Sequence, residues 1–216
     1  MSSLLEKGKF EQINESFLSE TIDQLEGLAN IQKKYNKGDM DTVLNELHDS
    51  LVGRYLGFEL VNTDKHGFDC KLSETQDIFL ESKVASLSSK SWSATFNDTT
   101  DEKAKLFKDK RIWLALSVWS NVTTPICICF GQHTSIGDIL HDGVQRHKDG
   151  KTVRSTQTIG MHKLIFEFGF KILSPTLSTN ELIQKLNFKR DFKQLSKEHI
   201  IEYKNFNSIL DYSNIL

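Results

Sequence analysis

Proline and cysteine are scarce in this chain, with two prolines and three cysteines in 216 residues. Together with only 12 glycines, this leaves little room for flexible linkers, so a single domain is expected rather than modules on a string. Low-complexity segments and internal repeats are also lacking. No zinc pattern is present: Cys127 and Cys129 alternate along an apolar stretch and so share one strand face, and none of the seven histidines adds a ligand at recognisable spacing. The cysteines are expected to be buried free thiols. No apolar run approaches the length of a membrane span, and the first residues lack the apolar stretch of a signal peptide, which points to the cytoplasm. A surplus of one charge is missing too. The net charge of -2 gives no global signal for nucleic acid, so such a partner has to be argued locally.

What is present is the composition of an ordinary globular protein, 38% hydrophobic and 26% charged, long enough to bury a substantial core. Residues 10–34 place Phe10, Ile13, Phe17, Leu18, Ile22, Leu25 and Leu28 at spacings of three and four. This predicts an amphipathic helix or helix pair, a packing or oligomerisation surface. After Gly38 and Asp39, the spacing of Val43, Leu44, Leu47, Leu51, Val52, Tyr55 and Leu56 predicts a second helix ending at Gly57. A short strand is expected over 58–61 and a turn over 62–67. Residues 86–97, rich in serine, read as a loop, and 99–110 as a helix capped by Asp98 or Thr99. The apolar runs 111–119 and 125–130 are expected to be central strands. A helix over 135–147 follows, then a polar basic loop over 146–157, then helices that complete the domain or form a dimer interface.

The stretch 66–83 organises the rest. Glu81 and Lys83 lie two apart on an apolar run that includes Ile78, Phe79, Leu80, Val84 and Ala85, so on a strand they project to the same face. A turn between Leu72 and Asp77 folds 66–72 back against 78–86 and sets Asp69 beside Glu81 across the ladder. Two carboxylates and an amine then converge. Mg²⁺ is typically held by one or two carboxylates together with substrate phosphate oxygens, and Asp69 and Glu81 fit that need. A lysine beside the cation can orient or deprotonate a water, since its pKa falls near a divalent cation. The chemistry suggested is phosphodiester hydrolysis. The competing account is a solvated strand face carrying a Glu-Lys pair, worth under about 1 kcal/mol. Against it, the flanking residues look buried on both faces, where unpaired charge is costly.

At these residues the sequence resembles the PD-(D/E)xK nuclease superfamily, in particular type II restriction endonucleases. Glu81-Ser82-Lys83 stands as the E-x-K, and Phe68-Asp69 stands where the family has Pro-Asp, with phenylalanine in place of the proline. The resemblance implies an α/β fold: a restriction-endonuclease-like core (αβββαβ) over about 40–131, with a mixed central sheet flanked by helices and extra N- and C-terminal helices. The whole of 1–216 is then one nuclease domain, with 1–38 a helical extension and 132–216 carrying a recognition loop and packing or dimerisation helices. It further implies metal binding by Asp69 and Glu81, Mg²⁺ with Mn²⁺ as a substitute, and a water-activating role for Lys83. An acid on the preceding helix recurs in the superfamily. That suggests Glu46 as a further catalytic residue, with Asp49 as the fallback and a solvated helix glutamate as the rival reading; Gln76 is a further outer contact.

The partner implied is double-stranded DNA, cut by a homodimer with two such centres. Arginine, glutamine, serine and threonine reach base edges and phosphates. On that ground Arg146, Lys148, Lys151 and Arg154, with Ser155, Thr156 and Gln157, form a candidate DNA-recognition loop, against an ordinary solvated loop. Lys90, Ser91, Trp92 and Asn97 form a second candidate region, with Trp92 equally able to pack into the core. Rival functions are a mismatch-nicking or junction-resolving nuclease of the same fold, and a non-catalytic DNA-binding protein.

Overall fold

The computed structural model describes residues 15–34, 40–60, 68–73, 76–121, 123–152 and 154–208. The chain divides into two compact units, 1–45 and 46–216. The first contains helix α1 (Glu15–Lys34) and the start of α2 (Met40–Leu56). Lys33 and Lys34 end α1, where cations suit the helix dipole, and Ile22, Leu28 and Ile31 are exposed. The expected beginning of this helix at residue 10 lies outside the described residues.

The second unit continues α2 and adds β1 (Glu59–Leu60), β2 (Cys70–Ser73), β3 (Gln76–Ser86), β4 (Ser93–Phe96), α3 (Asp101–Leu106), β5 (Ile112–Trp119) and β6 (Pro125–Gly131). Then come α4 (Ser135–Lys148), β7 (Gln157–Gly160), α5 (Met161–Phe166), β8 (Lys171–Ser174), α6 (Thr179–Leu186) and β9 (Ile200–Glu202), with short 3₁₀ turns between and after the last elements. Among the described residues seven strands make one mixed sheet in the order β1-β2-β3-β5-β6-β8-β9, and β4 pairs with β7 in a separate ribbon. The first three strands run as an antiparallel meander, β5 lies parallel to β3, and β6 lies antiparallel to β5. The fold is therefore α/β, a mixed central sheet flanked by helices.

The two faces of the sheet bury separate apolar clusters. One contains Leu114, Leu116 and Val118 of β5 with Ile136 and Leu140 of α4, Leu164 of α5, Leu182 of α6 and Phe96 of β4. The other joins Val52 and Leu56 of α2 to Ile78 and Leu80 of β3 and to Ala115, Ile128 and Leu173. Residues of β6 are buried throughout and those of β5 nearly so, because a strand covered on both faces has no use for polar alternation. All three cysteines are buried and free, with Cys127 and Cys129 in the same cluster. Among the described residues no helix is long and apolar enough to cross a membrane.

Three expectations are corrected. Residues 86–97 are not all loop: Trp92, Ala94 and Phe96 are buried and β4 pairs with β7, Ser93 facing Gly160. Its partner lies far away in sequence, which local composition cannot report. The last third is not purely helical, because β7, β8 and β9 interrupt it. These strands are only three or four residues long, too short for a period to show. The basic loop is also shorter than expected, since α4 runs to Lys148 and β7 starts at Gln157.

Candidate active site

Helix α2 is brought onto the sheet by its smallest residue. A Cβ at Gly53 would lie 2.8 Å from Cys70 Sγ and 3.3 Å from the Phe58 carbonyl oxygen, so only glycine permits this approach. Five residues earlier, His48 packs on Trp119 with ring centroids 4.2 Å apart. Gly57, with φ of +78°, then ends the helix in the left-handed conformation that glycine adopts without strain. With His48 and Gly53 both fixed, the adjoining Asp49 is carried to the β2–β3 hairpin, and its carbonyl accepts the Cys70 thiol at 3.5 Å.

The hairpin register is the one the sequence implies: Cys70 pairs with Leu80 and Lys71 with Phe79, which sets Asp69 beside Glu81. The Asp69 N–H donates to the Leu80 carbonyl at 3.1 Å. Its carboxylate accepts the Ser82 N–H at 2.7 Å. On the other flank, β3 is held parallel to β5, with Glu81 opposite Leu114 and Lys83 opposite Leu116. The buried Ser117 hydroxyl donates to the Lys83 carbonyl at 3.1 Å and accepts the Trp119 indole N–H at 2.8 Å. The strand is thereby fixed on both edges where its two charged side chains leave it.

Glu81 is 2% exposed. Its Oε1 accepts from Lys83 Nζ at 2.6 Å and from Lys103 Nζ, on α3, at 2.7 Å. Its Oε2 is buried and has no hydrogen-bond partner. Burial alone would raise this carboxyl, but the two ammoniums more than offset it and hold it below the ordinary glutamate value. Burial likewise works against the Lys83 ammonium. Glu81, and behind it Asp69 and Asp49, reverse this and raise Lys83 above the usual lysine value. Lys83 also sits over the Phe96 ring, 5.6 Å from its centroid. Without a cation, Lys83 is thus a firmly charged donor.

The remaining acids behave oppositely. Burial, then repulsion from Glu81 and Asp49, pushes Asp69 up to about 7. Burial raises Asp49 to about 6, with Glu81 and Glu46 adding to the rise. The Ser82 hydroxyl has no partner at ordinary hydrogen-bonding geometry, yet it lies near enough to Asp49 to pull against that rise. Both acids therefore hold their protons to higher pH than an ordinary aspartate, which trims the negative charge set against the two lysines. The thiol of Cys70 is pushed up to about 12 by burial and then by Asp69 and Asp49, and is chemically inert.

Asp69, Glu81 and Lys83 are thus brought together as the sequence suggests. Glu46 is half-buried on α2, within electrostatic range of Asp49, but Asp49 is the helix acid that reaches the hairpin. Gln76 begins β3, five residues before Glu81. The residue that sequence reasoning missed is Lys103. Its signal was Phe107, one turn on, which is buried and so marks the inward face that Lys103 shares. Asp49 carried a similar signal, at i, i+3 and i+7 with the buried Val52 and Leu56.

The proposed DNA contacts are scattered. Trp92 is core: 3% exposed, it donates to the Ser86 carbonyl at 3.1 Å and lies under Lys189 Nζ at 4.4 Å. Lys90, Ser91 and Asn97 are exposed. Lys148 is paired with Asp101, and Lys151 with Asp149. Ser155 is buried, Thr156 is half-buried, and Gln157 fills the space beside Gly143. Arg146 and Arg154 are exposed.

Among the described residues no three His, Cys, Asp or Glu side chains form a ready-made metal cage. Comparison with family models, with curated proteins and with solved structures found no match.

Proposed function

We propose that this chain is a Mg²⁺-dependent endodeoxyribonuclease of the PD-(D/E)xK kind, a type II restriction enzyme cutting a specific double-stranded site as a homodimer. The observation that carries the reading is Glu81, a buried carboxylate with two ammoniums on one oxygen and nothing on the other. An ionised oxygen left buried and unpaired is costly, and such an atom is most simply a ligand atom. Hard oxygens from two acids, Glu81 and Asp69, fit Mg²⁺ or Mn²⁺, whose remaining positions go to water and substrate phosphate. The order α2, β1, β2, β3, α3, β5 supports the αβββαβ core, with β4 as an insertion.

When bound, the cation polarises the scissile phosphate and makes a nucleophile available at neutral pH. The chain's own residues divide the remaining work. Asp69 and Glu81 supply the oxygens, and the Ser82 N–H aims the Asp69 carboxylate. Lys83, held as an ammonium, orients the attacking water and donates to the phosphate. Asp49, at about 6, is matched to accept a proton near neutral pH. Exposed Arg146, Arg154 and Lys90, with Lys151, provide phosphate contacts for the duplex. Cutting both strands calls for two such centres, hence a C₂ dimer.

Incubation of the purified protein with unmodified plasmid DNA and Mg²⁺ tests the reading, and discrete fragments are expected. Nicks or cutting of branched substrates alone would move it to a repair nuclease of the same fold. Intact DNA, with no Mg²⁺ or Mn²⁺ binding by calorimetry, would sink the enzyme reading.

A further inference from the structure

Lys103 is placed by several independent restraints. The Thr100 hydroxyl caps α3 by accepting the Lys103 N–H at 3.2 Å. Next to it, Ala104 lies against α4 at Gly137, where a Cβ would meet the Ala104 carbonyl at 2.6 Å. Asp101, two residues before, is held from α4 by His141, Gln145 and Lys148. The lysine is therefore presented by a rigid helix pair rather than by a mobile surface turn.

Its partner already has a counter-ion. One lysine suffices to neutralise Glu81, and Lys83 does so from the same strand face at 2.6 Å. If Lys103 only completed the pairing of a buried carboxylate, it would gain most on the free oxygen. It sits instead on the oxygen already taken, so the two ammoniums lie within about 5 Å of each other and repel. Two ammoniums converging on one anionic oxygen form a clamp whose shape suits a phosphate oxygen as well as a carboxylate one. Lys103 is also the more open of the two, with its side chain 36% exposed against 23% for Lys83.

Resting on the nuclease reading above, we propose that Lys103 is a further catalytic residue, a phosphate-binding lysine held in reserve on Glu81. Without a cation it acts as the second counter-ion of Glu81, on the oxygen beside the free one, where its charge opposes any cation that approaches. With Glu81 engaged by a cation, Lys103 is released to the scissile phosphate, where with Lys83 it balances the charge that develops in the transition state.

The test compares wild type with Lys103→Gln in two measurements: Mn²⁺ binding by calorimetry on the protein alone, and single-turnover DNA cleavage at saturating Mn²⁺. The expected result is an opposed pair of effects. Removing the opposing ammonium tightens Mn²⁺ binding by about tenfold, while cleavage falls by about 100-fold. Lys103→Arg, which keeps the charge, is expected to recover part of the cleavage. Wild-type cleavage by Lys103→Gln overturns the assignment. So does a joint loss of Mn²⁺ binding and cleavage, which would make Lys103 a mere prop for Glu81. Should the glutamine variant not fold, Lys103→Met, which keeps the packing of the stem, is read by the same outcomes. A wild type that neither binds Mn²⁺ nor cuts DNA overturns the nuclease reading itself, which separates that failure from the failure of Lys103 alone.

Discussion

The Asp69 carboxylate accepts the Ser82 N–H at 2.7 Å, so a side chain occupies the edge of β3 just where β2, which begins at Cys70, stops accompanying it. The acid thereby serves strand and site at once, and two substitutions separate the roles. Asp69→Asn keeps an oxygen for Ser82 and loses only the charge, so a folded protein with cleavage reduced more than about 100-fold is expected. Asp69→Ala also orphans the N–H and is expected to lose about 1–3 kcal/mol of stability as well. Thermal melts beside cleavage assays check both; equal melts for the two variants would count against the edge role.

The raised acids set the direction of pH dependence. Asp69 titrates at about 7 and Asp49 at about 6 when folded, against 3.8 for each ordinarily. The folded protein therefore holds more protons than the unfolded chain between these values, and stability falls as pH rises from about 4 through about 7. Melting temperature without metal is expected to drop across that range, and to drop less in Asp69→Asn. Mg²⁺ should raise it more at pH 8 than at pH 5, because its ligands must be deprotonated. A flat metal-free profile would contradict this.

Gly53 governs how close Asp49 comes. Gly53→Ala places a methyl 2.8 Å from Cys70 Sγ, and overpacking of this kind costs about 1–3 kcal/mol. Cys70→Ala removes the sulfur, so the double variant is expected to recover much of the loss, a coupling that a double-mutant cycle of denaturant melts measures. Additive losses would show that the Phe58 carbonyl, not the thiol, is the obstacle.

Ser117 supports Lys83 from beneath. Its hydroxyl joins the Lys83 carbonyl to the Trp119 indole, both in a buried strand. Ser117→Ala leaves the indole N–H unpaired and is expected to cost about 1–3 kcal/mol. Metal affinity, which depends on Asp69 and Glu81, is expected to change little. Denaturant melts and Mn²⁺ calorimetry on the same preparation give both numbers.

The sequence made the centre of this molecule legible and its periphery much less so. Helix α2, the hairpin and the strands β5 and β6 each carry a period or an apolar run that is a local property. The meeting of Asp69 with Glu81 follows from hairpin register alone. Lys103 and Asp49 were readable only as positions on helix faces, since which face turns to the sheet is decided by distant contacts such as Gly53 on Cys70. Trp92, placed in a serine-rich stretch, shows the limit most clearly. It is buried because Phe192 and Lys189 reach it from far along the chain, and no window around residue 92 contains that information.

The ribbon of β4 and β7 has a consequence for the order of folding. Its partners, such as Ser93 and Gly160, are joined by about 65 residues of chain, whereas every residue of the site from Asp49 to Lys103 precedes most of that loop. Closing so long a loop is entropically slow, and contacts of this span form after local ones. The acids and lysines of the hairpin can thus be in register before the ribbon closes. Hydrogen exchange is expected to find β4 and β7 opening while β3 and β5 stay protected.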